Sequence, residues 1–81
     1  MKEAKARVLV VEDEEAIRLG LVQNLKFAGY EVFTANTGPL GIQEALEHKP
    51  DLILLDLMLP GMSGYEVCRS LRDRGVRCAI L

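Results

Sequence analysis

The chain has 81 residues, 49% hydrophobic and 27% charged, with a formal net charge of −2, which fits one small globular domain over residues 1–81 and argues against disorder. The charges are interspersed with no basic cluster, which argues against direct nucleic-acid binding. No apolar stretch nears the roughly 18–20 residues of a membrane span, and the apolar run behind the charged start Met1–Arg7 is too short for a signal peptide, so a cytoplasmic protein is expected.

Val8-Leu9-Val10-Val11 reads as a strand buried on both faces, and it runs directly into Glu12-Asp13. Residues 14–28 follow as a helix with Ile17, Leu21, Leu25 and Ala28 as its apolar stripe. Asp13 stands where a carboxylate can cap the helix, and Gly29 stands where one stops. Residues 30–35 form a second strand, rich in aromatic and β-branched residues. Thr37-Gly38-Pro39 opens a second helix, with Ile42, Ala45 and Leu46 as its stripe, and Pro50 ends it. Leu52-Ile53-Leu54-Leu55 is a second continuous apolar run, and it too ends on an acid, Asp56. A turn-rich loop over residues 57–64 leads to Ser63 and Glu66, spaced as a capping box, so a third helix begins there. Its buried side is Val67, Cys68 and Leu71, Gly75 ends it, and residues 77–81 start a fourth strand.

Cys68 and Cys78 lack metal-type spacing and read as small apolar residues in a reducing compartment. His48 falls near the second helix's C-terminus, where a partial positive charge suits the dipole. Met58, Met62 and Tyr65 read as loop and packing residues, and Lys26, Arg69 and Arg72 as solvated helix faces.

Strand and helix alternate throughout, which predicts a doubly wound α/β fold with a parallel sheet. Ligand crevices in such sheets lie at the carboxyl ends of the strands. If the two acid-terminated strands are neighbours, Glu12, Asp13 and Asp56 converge there. The bland alternative is that these acids only cap helices and face solvent; that fits Glu12 or Asp13 better than Asp56, which sits between apolar residues. Three carboxylates in one crevice raise one another's pKa unless compensated, and a hard cation such as Mg²⁺ compensates them. A carboxylate beside Mg²⁺ can attack a phosphoryl group, so Asp56 is a candidate nucleophile.

These same segments resemble the receiver domain of bacterial two-component response regulators. Val8-Leu9-Val10-Val11-Glu12-Asp13-Glu14 resembles its first strand and acidic pair. Asp51-Leu52-Ile53-Leu54-Leu55-Asp56-Leu57-Met58-Leu59-Pro60-Gly61-Met62-Ser63-Gly64 resembles its phosphoacceptor segment. Ala35-Asn36-Thr37-Gly38 and Ala45-Leu46 fit its second strand and helix. The resemblance implies a flavodoxin-like fold in which Asp56 accepts phosphate from a sensor histidine kinase. It implies Mg²⁺ held by the side chains of Asp13 and Asp56 and by the backbone carbonyl of Met58, with Glu12 acting through a water.

The family also carries a Ser or Thr at the end of its fourth strand and a Lys at the end of its fifth, both past Leu81. A receiver ending at Leu81 is therefore expected to lack the fourth helix, fifth strand and fifth helix, and to be slower in phosphorylation and impaired in switching. It is expected to self-associate as a homo-oligomer through bared apolar surface or the edge of the fourth strand. The competing reading is an interaction or structural fragment without phosphotransfer. A haloacid-dehalogenase phosphatase needs a second acid where Met58 stands. A flavodoxin needs a phosphate-cradling loop where Glu12-Asp13-Glu14-Glu15 stands. Both fit poorly.

Overall fold

The computed structural model describes residues 5–81. The beginning of the charged start, residues 1–4, lies outside the described residues. The elements in chain order are β1 (Arg7–Val11), α1 (Glu15–Phe27), β2 (Glu31–Ala35), α2 (Gly38–His48), β3 (Leu52–Leu55), α3 (Gly64–Asp73) and β4 (Ala79–Ile80). All strands are parallel in the order β2-β1-β3-β4. The expected α/β architecture is therefore present. From β1 the chain adds β2 on one side and β3 on the other, so the switch in winding direction falls between β1 and β3.

The pleat sends alternate residues to opposite faces. On one face Leu9, Val11, Ala35, Ile53 and Leu55 join Ala45 of α2 and Val67 and Leu71 of α3 in the main core. Leu9, Ile53 and Leu71 are fully buried, each worth about 1.5–3 kcal/mol relative to exposure. Gly41 lets α2 settle onto β1, since a Cβ there would meet Val11 Cγ2 at 2.9 Å.

The other face is covered unevenly. Val8 and Val10 are buried, as expected of a central strand, yet Leu52 and Leu54 of β3 are only half-buried. The reason is the placement of α1, which packs on β1 and β2. Its predicted stripe is accordingly only half used: Leu21 and Leu25 are half-buried, while Ile17 is 47% exposed and Ala28 is exposed.

Helix ends follow local chemistry. Gly29 and Gly75 adopt φ of 98° and 87°, and each end closes with paired bonds: Tyr30 N–H to the Leu25 carbonyl and Gly29 N–H to Lys26, then Val76 N–H to Leu71 and Gly75 N–H to Arg72. The Ser63–Glu66 capping box forms in both directions. Asp13 does not cap α1. Glu14 is the N-cap residue and makes no side-chain cap bond; instead the Glu12 carboxylate accepts the Glu14 N–H at 3.1 Å. The acid two residues before Glu14 therefore engages the amide at the helix entry.

Candidate functional site

The parallel register pairs Val11 with Leu55 and with Ala35. Pairing continues one residue further on both sides of β1: Asp56 N–H donates to the Val11 carbonyl and Glu12 N–H to the Ala35 carbonyl, each at 3.0 Å. Glu12 and Asp56 therefore leave neighbouring strands at the same height, with Asp13 next in the turn. One carboxylate oxygen from each of Glu12, Asp13 and Asp56 lies within 4.8 Å of one from each of the others. Glu12 and Asp56 are half-buried and Asp13 is exposed.

The loop beyond β3 is held against this cluster. Met58 N–H donates to Asp56 Oδ1 at 3.1 Å, which fixes the carboxylate and the start of the loop together. The Met58 side chain is 85% exposed, and Tyr65 is 71% exposed, so neither packs as expected, whereas Met62 does pack on the core. The N-terminus of α3 closes the far side. Gly64 N–H donates to the Leu57 carbonyl at 2.9 Å, and a Cβ at Gly64 would stand 2.6 Å from the Asp56 carbonyl oxygen. Only glycine permits that approach.

No ion pair formed among the described residues involves Glu12, Asp13 or Asp56. Burial pushes the Glu12 carboxyl above its usual range; the hydrogen bond from the Glu14 amide pulls it down, and the neighbouring Asp56 and Asp13 carboxyl groups add to the rise. An all-oxygen set of unpaired carboxylates suits a hard divalent ion. Mg²⁺, with ligands about 2.0–2.1 Å away, spaces opposite oxygens by roughly 4.2 Å, so side-chain adjustment alone could close this cluster on it. A groove of about 290 Å³ is lined by Glu12 and Asp56 together with Val10, Leu21, Leu54 and Leu81, among others.

Two features were not anticipated from the sequence. Arg18 of α1 donates through Nη1 to the carbonyls of Glu12, at 3.0 Å, and Asp13, at 3.4 Å. Its spacing from the acidic pair was the available signal. At the amino-terminal end of the sheet, His48 stacks on Phe33 with ring centroids 3.9 Å apart and its Nε2 lies 3.7 and 3.5 Å from Glu44 and Glu47 carboxylate oxygens. There the i, i+3 and i+4 spacing was the signal. Cys68 and Cys78 are free, half-buried and packed on the core.

A doubly wound parallel sheet with acids gathered at its switch point defines an α/β protein of the flavodoxin-like class with an acidic crevice. The chain belongs to the response regulator receiver domain family, whose profile matches residues 8–81. It is 47% identical over 75 residues, 93% of this chain and 31% of the relative, to the alkaline phosphatase synthesis transcriptional regulatory protein PhoP of Bacillus subtilis. It is similar to the solved response regulator protein TrrA of Thermotoga maritima in complex with Mg(2+)-BeF, at TM-score 0.86 and 37% identity, over 93% of this chain and 65% of that one. TrrA in complex with histidine kinase ThkA matches at TM-score 0.84, with the same identity and coverage. The chain spans about a third of the length of the first curated relatives.

Proposed function

We propose that this receiver domain accepts a phosphoryl group on Asp56 from a sensor histidine kinase, in the presence of Mg²⁺. The observation that carries the reading is the convergence of Glu12, Asp13 and Asp56 at one height of adjacent strands. Asp13 and Asp56 would hold the ion by their side chains and Met58 by its backbone carbonyl, with Glu12 acting through a water. The Mg²⁺ structure of TrrA and its complex with ThkA support the same reading. When bound, Mg²⁺ would neutralise phosphoryl oxygens during transfer.

An Asp56 carboxylate oxygen attacks phosphorus, the bond from phosphorus to the donor histidine nitrogen breaks, and the imidazole leaves with the electron pair and takes a proton. The product is an acyl phosphate. Met58 N–H, already on Asp56 Oδ1, keeps one carboxylate oxygen engaged and leaves the other for attack. The module is a phosphoacceptor, with its own contribution limited to positioning and to any self-phosphorylation from small donors. The proposal includes self-association through the groove of Val10, Leu21, Leu54 and Leu81 and through the β4 edge. Sedimentation that depends on concentration is the outcome expected of that part, and a monodisperse monomer would remove it.

Intact-mass measurement after incubation with Mg²⁺ and a small phosphodonor tests the central claim. A gain of one phosphoryl group that disappears in Asp56→Ala is expected. No adduct on the unaltered chain would instead favour an interaction module without phosphotransfer.

A further inference from the structure

We propose that Arg18 is the positioning residue that holds the Glu12–Asp13 turn in its cation-binding shape. The inference rests on the Mg²⁺ reading above and deepens it. Helical side chains lean toward the helix N-terminus, so an arginine in the first turn of α1 is directed back over the chain entering it. Arg18 is at that position, and its Nη1 spans the carbonyls of Glu12 and Asp13.

Those two carbonyls lie where strand pairing has stopped and the helix has not yet begun. Among the described residues neither receives a backbone hydrogen bond, because β1 pairing ends with the Glu12 amide and α1 begins with Glu14 as its N-cap. The N-cap side chain contributes nothing. The turn is thus fixed from the carboxylate side only by Glu12 accepting the Glu14 N–H. That bond uses a carboxylate the cation site also needs. Arg18 fixes the turn from the other side without occupying any carboxylate.

A second effect runs against the first. Arg18 is itself a cation near the site, so removing its charge would by simple Coulomb repulsion tighten Mg²⁺ binding. The sign of the change therefore separates positioning from mere proximity. Positioning predicts weaker binding in Arg18→Met, roughly tenfold, the scale of one charge-assisted hydrogen bond. It predicts weaker binding in Arg18→Lys also, since the shorter stem keeps the charge but places it short of the Nη1 position that meets both carbonyls. Proximity alone predicts tighter binding in Arg18→Met and no change in Arg18→Lys.

The test is calorimetric titration of the 81-residue chain and both variants with Mg²⁺, paired with amide hydrogen exchange on the metal-free proteins. Arg18→Met should bind Mg²⁺ more weakly and exchange faster at Glu14, with its thermal midpoint little changed. Equal or tighter Mg²⁺ binding by Arg18→Met, or unchanged exchange at Glu14, overturns the role of Arg18 alone. An unaltered chain that binds no Mg²⁺ overturns the cation reading and this role together.

Discussion

Asp56 is tied to Val11 by a 3.0 Å hydrogen bond from its amide to the Val11 carbonyl, one residue past the last rung at which β1 and β3 pair. That bond sets the height at which the Asp56 side chain leaves the sheet, level with Glu12 on the adjacent strand. The acidic crevice is thus a product of strand register. A slip of one residue would turn Asp56 to the opposite face.

Removing single carboxylates should separate the parts of the crevice. Asp13→Asn and Asp56→Asn are each expected to weaken Mg²⁺ binding by tenfold or more, about 1.4 kcal/mol, while the far-ultraviolet circular dichroism stays unchanged. Calorimetric titration with Mg²⁺ measures this, and wild-type affinity in both variants would remove these residues from the ion site.

Glu12 carries a stability cost that depends on pH. Its carboxyl is raised above the usual range chiefly by burial, so the folded state holds its proton to higher pH than the unfolded chain does. Between the ordinary glutamate pKa and the raised one, the folded state binds more protons, and stability falls as pH rises. Glu12→Gln should therefore raise the metal-free midpoint at neutral pH and lose that advantage below the ordinary glutamate range. Thermal scans without metal at several pH values give the answer, and a gain that grows on acidification would contradict it.

Two glycines should respond in opposite directions. Gly64→Ala forces a Cβ against the Asp56 backbone at 2.6 Å, and a main-chain atom cannot rotate aside. A loss of about 1–3 kcal/mol is expected. Gly20 lies within α1 with nothing within 4 Å of its would-be Cβ, so Gly20→Ala should stabilise by roughly 0.5–1 kcal/mol. Chemical denaturation of both variants checks the pair.

Ser63 secures the start of α3 by accepting the Glu66 amide at 3.2 Å while Glu66 receives the Ser63 amide at 3.3 Å. Ser63→Ala should cost about 0.5–2 kcal/mol. Urea unfolding should show it as a lower midpoint with an unchanged slope.

Much of this was legible because the signals were local or periodic. The runs at Val8 and Leu52 ending on acids, the Ser63–Glu66 spacing and the glycines after α1 and α3 each follow from a few adjacent residues. The stripe of α1 was less informative, since Ile17 is apolar at the right spacing and still 47% exposed; how far a helix covers a sheet depends on where it lands. Asp13 as a cap failed for a related reason, as the helix begins one residue later than its spacing suggests and Glu14 takes the N-cap position. The His48–Phe33 stack and the reach of Arg18 are tertiary, and no hydropathy pattern encodes which ring or carbonyl a side chain will meet.

The tight fit of Gly64 against Asp56 has a mechanical corollary. The space between the Asp56 main chain and the first residue of α3 is too narrow for even a methyl group. A displacement of the Asp56 backbone would be handed to the whole rod from Gly64 to Asp73, the way a wedge driven at one end of a lever tilts its far end.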